Sequence, residues 1–238
     1  MSLFRFKHFS VEQEGCAMKV GTDSMIFGAW LEVDPLPKTI LDVGTGTGVL
    51  SLMMAQKYPH AEINAVEIDT TACQVAQANF RTNQIGENCS VWEQDFLVLP
   101  EDKKYDMILS NPPFFENALK SGIEQKDKAR HTDSLPLSSF FEKSFRLLAD
   151  GGALALILPV DTMDKYKETI TGFYVHSELT VYATEVLVKR MCVVFRKYPP
   201  SKMKKQSLVV REKNGMYSDA YIELTKEFHG TKLKKSIS

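Results

Sequence analysis

Residues 39–48 read TILDVGTGTG, a short apolar run that leads directly into a glycine-rich turn. The apolar stretch VLSLMMA follows at residues 49–55 and is predicted to be a buried helix. A strand, a glycine turn and a helix in this order form the beginning of a βα unit. The segment therefore predicts an α/β protein with a mostly parallel sheet.

The rest of the chain continues this alternation of short apolar runs and longer amphipathic runs. Further strands are predicted at residues 62–67, 90–94, 105–110 and 153–158. Glycines 151 and 152 are predicted to end the preceding helix as a left-handed cap. The short connection YPPS separates apolar runs at 191–196 and 207–211, which predicts that these two runs pair as an antiparallel hairpin. We therefore expect a seven-stranded, mostly parallel sheet with a C-terminal antiparallel hairpin.

Composition indicates one globular domain over residues 1–238, with a hydrophobic content of 44% and a charged content of 25%. The N-terminal sequence lacks the apolar core of a signal peptide, and the longest apolar runs are too short to cross a bilayer. We therefore expect an unexported, cytoplasmic protein and a monomer. The four cysteines and five histidines show no spacing typical of metal ligands, so no metal site is predicted.

The formal net charge of −1 conceals an uneven distribution along the chain. Residues 1–188 hold 16 Lys and Arg against 26 Asp and Glu, whereas residues 189–238 hold 13 against 4. A basic C-terminal region can bind a polyanion such as RNA. It can equally be a solvated tail that aids solubility, and composition leaves both interpretations open.

The glycine turn predicts a binding site for S-adenosylmethionine. Its GxGxG spacing, formed by Gly44, Gly46 and Gly48, is one residue shorter than the GxGxxG that binds a dinucleotide pyrophosphate. Glycines let the backbone approach a ligand closely. Asp42 is predicted to face the cationic end of this cofactor, directly or through water. Glu67, 19 positions after Gly48, ends the second strand and is predicted to accept the ribose hydroxyls.

Residues after the next strands complete the predicted cofactor site. Ile68 directly follows Glu67 and is included in the site. Asp95 and Phe96 follow the third strand, where the carboxylate can accept from the adenine amino group and the ring can stack on its face. The alternative is that the glycines only shape a tight turn, Glu67 caps a helix and Asp95 is a loop residue.

The tetrapeptide Asn111-Pro112-Pro113-Phe114 ends the fourth strand and predicts catalysis of methyl transfer to an NH2 group. The lone pair of an aromatic or amide nitrogen is delocalised, and acceptors on both N–H groups localise it for attack. The Asn111 side-chain oxygen, which also lies beside the cofactor site, and the Pro112 carbonyl can be those acceptors. The two prolines fix the backbone, and Phe114 can stack on an extruded base. Alternatively, Asn-Pro-Pro only begins a loop and Phe114 is a core residue.

The N-terminal region narrows the interpretation through a resemblance. With NPPF at 111–114, the stretches FRFKHF at 4–9, CAMKVGTDS at 16–24 and GAW at 28–30 resemble the bacterial tRNA adenine-N6 methyltransferases that modify the adenosine following the anticodon of a valine tRNA. The resemblance implies a Rossmann-like class I methyltransferase core at 39–238, preceded by a segment at 1–38 that caps cofactor and substrate.

The same resemblance implies particular cofactor contacts near the N-terminus. It assigns Lys19, Thr22 and Asp23 to the methionine side of S-adenosylmethionine. The family usually has glycine where this chain has Ser24.

Basic residues from three stretches are predicted to bind a tRNA substrate. They are Arg5, Lys7, Arg130, His131, Lys189 and Arg190. Related enzymes with the same tetrapeptide methylate guanine N2 in ribosomal RNA or a glutamine amide in proteins. These two reactions, and a non-catalytic RNA-binding module, remain as alternatives.

Overall fold

The computed structural model describes residues 2–112, 137–230 and 233. Its strands are β1 (Leu3–Arg5), β2 (Ser10–Glu12), β3 (Thr39–Val43), β4 (Glu62–Glu67), β5 (Cys89–Glu93), β6 (Tyr105–Ser110), β7 (Leu148–Leu158), β8 (Tyr174–Thr184), β9 (Leu187–Arg196) and β10 (Lys204–Val209). Its α-helices are α1 (Thr22–Trp30), α2 (Val49–Lys57), α3 (Thr70–Thr82), α4 (Leu137–Leu147), α5 (Val160–Thr169) and α6 (Asp219–Thr225). Two short 3-10 helices lie at Gln84–Gly86 and Phe96–Val98.

The main sheet has eight strands in the order β10-β8-β9-β7-β6-β3-β4-β5. Strand β9 runs antiparallel to both of its neighbours, whereas every other pair in this sheet is parallel. Strands β1 and β2 form a separate antiparallel pair. The predicted α/β class with a mostly parallel sheet is confirmed.

The C-terminal part of the sheet contains an antiparallel hairpin, as predicted. The predicted partner of residues 191–196 is wrong, because these residues do not pair with residues 207–211. Strand β9 pairs with β8, which was not predicted, and β10 pairs in parallel with β8 as an eighth strand. The β8–β9 turn consists of Glu185 and Val186, which lack the Gly, Asn or Asp typical of tight hairpins. The more obvious turn at residues 198–201 therefore suggested the wrong partner.

The glycine pair at 151 and 152 also differs from its prediction. Helix α4 ends at Leu147, and both glycines lie inside β7. Neither is among the glycines with a left-handed φ. A Cβ on Gly152 would lie 2.9 Å from the Tyr105 carbonyl oxygen, so this glycine permits a close approach between β7 and β6.

The sheet separates two hydrophobic clusters, because successive side chains of a strand point to opposite faces. Ile40 of β3 belongs to the cluster shared with α1, α2 and α3, whereas Leu41 belongs to the cluster shared with α4 and α5. Both side chains are fully buried. This double burial explains why the central strands read as continuous apolar runs.

A buried asparagine fastens the N-terminal segment to the glycine turn. Asn79 of α3 donates to the carbonyl oxygens of Glu12 and Thr47, both at 2.8 Å, and accepts from the Glu12 N–H at 2.8 Å. Because Asn79 is 2% exposed, removing its amide would leave buried backbone groups without partners.

A lysine secures the far end of α1. Lys57 Nζ donates to the carbonyl oxygens of Gly28, Ala29 and Leu31, which lie at the carboxyl end of this helix. Burial lowers the pKa of Lys57 to about 8. Among the residues that the structure describes, no helix has the length and apolar character needed to span a membrane.

Candidate active site

The candidate site lies where β3, β4, β5 and β6 end. Register pairs Val43 of β3 with Val66 of β4 and Ser110 of β6, so these strand ends share one edge of the sheet. From β3 the chain first proceeds to β4 and β5 on one side and then crosses to β6 on the other. Such a switch point at the carboxyl edge is where open α/β sheets bind ligands.

The glycine turn adopts a backbone that leaves room for a ligand. Gly44, Gly46 and Gly48 all have left-handed φ values, of 68°, 57° and 79°. Among the residues that the structure describes, a Cβ at Gly44 or Gly46 would meet no atom within 4 Å, so both positions are open on that side. A Cβ at Gly48 would lie 2.6 Å from the Phe80 ring, so this glycine is required for packing.

The Asp42 carboxylate stabilises the glycine turn through hydrogen bonds from the turn and from the helix that follows it. Its Oδ2 accepts from Thr45 Oγ1 at 2.6 Å, from Ser51 Oγ at 2.7 Å and from the Ser51 N–H at 3.1 Å. Its Oδ1 is buried and has no hydrogen-bond partner within residues 2–112 and 137–230. Burial raises the pKa of Asp42 to about 6, although the hydrogen bonds from Thr45 and Ser51 oppose this shift. Cofactor contact by Asp42 stays a prediction, and only the unpaired Oδ1 is left to make it.

The Glu67 carboxylate is held beside the glycine turn by two backbone hydrogen bonds. Its Oε2 accepts from the Gly46 N–H at 2.8 Å, and its Oε1 accepts from the Asp69 N–H at 3.0 Å. Each carboxylate oxygen retains a further lone pair for a hydroxyl donor. Ile68 beside it is 60% exposed and presents an apolar surface next to this carboxylate.

After β5, Phe96 differs from its predicted role, whereas adenine contact by Asp95 stays a prediction. Asp95 Oδ1 accepts from the Leu97 N–H at 2.8 Å and caps the 3-10 helix. Phe96 is only 4% exposed, and its ring packs 5.2 Å from that of Phe140. In this arrangement Phe96 offers no free face for stacking on adenine, because the 3-10 helix turns its ring into the core.

Asn111 directly follows β6 and reaches the N-terminal helix. Its Nδ2 donates to Ser24 Oγ of α1 at 3.3 Å. Ser110 Oγ donates to the Val43 carbonyl at 2.7 Å and so joins the end of β6 to the beginning of the glycine turn. Pro112 is buried. The other predicted residues of this region, Pro113, Phe114, Arg130 and His131, lie outside the described residues.

Helix α1, which contains two of the N-terminal residues predicted for cofactor binding, contacts this edge through Ser24 and Asp23. Lys19 and Thr22 are exposed, and Ser24 touches Asn111 as described above. Asp23 Oδ2 accepts from Arg190 Nε at 2.8 Å. Asp23, predicted to bind the cofactor, is therefore ion-paired with Arg190, predicted to bind RNA. The two residues are far apart in sequence, so no local pattern indicates this contact.

The C-terminal basic residues divide between opposite edges of the sheet. Lys189 and Arg190 lie near the start of the antiparallel β9, at the carboxyl edge of the parallel strands. Arg196, at the other end of β9, is buried and donates to the carbonyl oxygens of Gly151 and Asp34. Lys204 begins β10 near the start of β8, on that same opposite edge. Of these four residues, Lys189 and Arg190 are the two that lie at the edge of the candidate site.

The two basic residues predicted near the N-terminus have different surroundings. Lys7 Nζ forms an ion pair with Glu227 Oε2 at 2.8 Å, and both side chains are exposed. Arg5 of β1 is exposed. RNA binding by either residue stays a prediction.

A separate cleft of about 490 Å³ lies between α4 and α5. It is lined by Phe145, Tyr166 and the segment 169–173, which immediately precedes β8. The start of β8 lies at the amino edge of the parallel strands, opposite Asn111. Within residues 2–112 and 137–230, no three His, Cys, Asp or Glu side chains are grouped as metal ligands, and the absence of a metal stays a prediction.

Comparison with known proteins identifies the family of this chain. Residues 16–184 match the family model described as methyltransferase small domain. A tRNA1(Val) (adenine(37)-N6)-methyltransferase of Flavobacterium johnsoniae is 36% identical over 95% of this chain and 99% of its own length. A protein of the same name from Porphyromonas gingivalis is 35% identical over 98% of this chain and 96% of its own length.

Solved structures confirm the fold. A predicted O-methyltransferase of Agrobacterium tumefaciens superposes with a TM-score of 0.65 at 14% identity, over 90% of this chain and 99% of the other. A glycopeptide N-methyltransferase complexed with sinefungin gives a TM-score of 0.55 at 11% identity, over 78% and 98%. The matched family model and the near full-length relatives show that the chain belongs to the methyltransferase small domain family and, within it, to the tRNA1(Val) (adenine(37)-N6)-methyltransferases.

Proposed function

We propose that this protein transfers a methyl group from S-adenosylmethionine to N6 of an adenine in tRNA, the adenosine at position 37 of a valine tRNA. The observation that carries the proposal is the Asn111 amide at the end of β6, joined through Ser110 to the glycine turn. The tRNA1(Val) (adenine(37)-N6)-methyltransferases that are similar over nearly the full length support the choice of substrate.

The residues of the glycine turn fit S-adenosylmethionine. Open space at Gly44 and Gly46 admits a ligand against the backbone, and Glu67 retains lone pairs for ribose hydroxyls. Ile68 offers an apolar surface beside that carboxylate. When bound, this cofactor supplies an electrophilic methyl group on a sulfonium. We assign Asp42 to holding the turn, with its Oδ1 as the atom left to interact with the cofactor.

The chemistry follows from the acceptors at the end of β6. Asn111 Oδ1 accepts one N–H of the adenine amino group, and the Pro112 carbonyl accepts the other. Two acceptors draw the nitrogen toward tetrahedral geometry, so its lone pair can form the new N–C bond as the S–C bond breaks. The proton leaves to solvent afterwards, because the methylated nitrogen is acidic. No general base is required before attack.

Substrate binding is assigned to the surface around this edge. Lys189 lies at the same edge as Asn111, and we include Arg5, Arg130 and His131 as further phosphate or base contacts. Residues 1–38 cap cofactor and substrate in this proposal. With tRNA as substrate, the protein acts in the cytoplasm, and we propose that it does so as a monomer.

The proposal is tested with radiolabelled S-adenosylmethionine and three separate acceptor pools: total tRNA, ribosomal RNA and a release-factor fraction. We expect label in tRNA that is recovered as N6-methyladenosine after nuclease digestion. Label in N2-methylguanosine of ribosomal RNA, or in protein that resists ribonuclease, would assign the enzyme to one of the alternative reactions. Cofactor binding without transfer to any pool would indicate a non-catalytic module.

A further inference from the structure

The Asn111 side chain meets a hydroxyl from a distant part of the chain. Ser24 lies in the first turn of α1, is 8% exposed, and accepts from Asn111 Nδ2 at 3.3 Å. The two residues are 87 positions apart in sequence, and the contact brings the N-terminal segment to the end of β6.

In this contact the amide nitrogen of Asn111 is the donor, so the amide oxygen is the end that faces away from Ser24. A primary amide has two donors on nitrogen and two lone pairs on oxygen. With Nδ2 directed at Ser24, Oδ1 is left to accept from the substrate amino group. If the amide were rotated by a half turn, it would present N–H groups to the N–H groups of the substrate and could not act as an acceptor.

Ser24 is presented by a well-anchored element. The neighbouring residues Met25, Ile26 and Phe27 are buried in the core, and Asp23 is ion-paired with Arg190. The hydroxyl therefore stays near Asn111 without a large entropic cost at each turnover.

We propose that Ser24 is a positioning residue, whose hydroxyl holds the Asn111 amide with its oxygen toward the methyl acceptor. This inference rests on the proposed function, because it assumes that Asn111 accepts from an amino group. Ser24 acts only through Asn111 and touches no reacting atom.

The kinetic test compares the hydroxyl-free variants Ser24→Ala and Ser24→Gly with Ser24→Thr, which keeps the hydroxyl. We expect kcat to fall by about 3- to 10-fold in both hydroxyl-free variants, the usual effect of one neutral hydrogen bond, with KM values within about twofold of wild type. Ser24→Thr should recover most of kcat. Ser144→Ala is the matched control, because Ser144 is a buried helical serine whose Oγ has no hydrogen-bond partner in the described part of the chain, and its kcat should be unchanged.

A second readout does not depend on methyl transfer. The side-chain amide protons of Asn111 are identified in a nitrogen-proton correlation spectrum by their loss in Asn111→Asp. In Ser24→Ala, we expect the hydrogen-bonded proton to move upfield while the backbone spectrum remains that of a folded protein.

Either of two results would overturn the inference: unchanged Asn111 side-chain resonances in Ser24→Ala, or wild-type kcat in both hydroxyl-free variants. Both results can be distinguished from a failure of the proposed function. That failure would appear in the wild-type enzyme, as absence of N6-methyladenosine from tRNA, whereas the resonance shift is measured without any acceptor.

Discussion

Arg190 Nε donates to Asp23 Oδ2 at 2.8 Å and thereby joins the first turn of α1 to the beginning of β9. Asp23 lies next to Ser24, which contacts Asn111. The ion pair therefore holds the N-terminal segment against the edge of the sheet where the proposed chemistry takes place.

Breaking this ion pair should weaken the attachment of α1. We predict that Asp23→Asn and Arg190→Gln each lower cofactor affinity, and that the double variant is little worse than either single variant, because both remove the same interaction. Both side chains are partly exposed, so the coupling energy should be only about 0.5 to 1 kcal/mol. Calorimetric titration of S-adenosylmethionine measures it, and purely additive losses would contradict the coupling.

The glycine turn gives a prediction with a matched control. The substitutions Gly46→Ala and Gly215→Ala impose the same left-handed strain, and at both positions the new methyl group meets no described atom within 4 Å. Each variant should lose about 1 kcal/mol of stability. Gly215 follows β10, five strands from β3, about 24 Å away at ~4.8 Å per strand.

Only the methyl on Gly46 enters the space proposed for the cofactor. We therefore expect the dissociation constant of S-adenosylmethionine to rise at least about 10-fold in Gly46→Ala and to stay unchanged in Gly215→Ala, a difference of about 1.4 kcal/mol. Equal cofactor affinities in the two variants would argue that the open side of the turn is not the binding surface.

Asp42 gives a prediction about stability and pH. Its pKa is about 6 in the folded protein, because of burial, and about 3.9 in an unfolded chain. The folded state therefore binds more protons between these values. The stability that this carboxyl contributes is fully present below about pH 4 and is lost as pH rises through about 6.

Asp42→Asn removes this titration. From pH 4.5 to 7, the free energy of unfolding of the variant should improve relative to wild type, by on the order of 2 kcal/mol. Urea unfolding of both proteins at the two pH values measures the change. A difference between the proteins that does not vary with pH would show that Asp42 does not titrate in this range.

The division of basic residues between two edges predicts different roles for two lysines. Lys189→Ala should weaken tRNA binding and reduce the slope of log affinity against log salt by about one. Lys204→Ala, at the opposite edge, should change neither. Filter binding at several salt concentrations distinguishes them, and equal effects would indicate only a nonspecific attraction.

The strands of the parallel sheet and the glycine turn could be predicted because their signals are local. Residues 39–48 contain a strand, three left-handed positions and the start of a helix within one short segment. The pairing of β8 with β9 could not be predicted, because Glu185 and Val186 carry no turn signal and β8 mixes polar with apolar residues.

Contacts within the site between residues that are distant in sequence could not be predicted either. Two such contacts, Ser24 with Asn111 and Asp23 with Arg190, depend on where α1 packs against the sheet. No local sequence pattern indicates that position. Phe96 was expected to stack on a ligand, but its ring packs in the core because the 3-10 helix directs it inward.

The most direct test of the proposed function compares two valine tRNA transcripts that differ only at position 37, one with adenosine and one with guanosine. We predict that the wild-type protein forms N6-methyladenosine in the first transcript and transfers no methyl group to the second. Equal methylation of both transcripts, or N2-methylguanosine in the second, would contradict the assignment of adenine N6 at this position as the methyl acceptor.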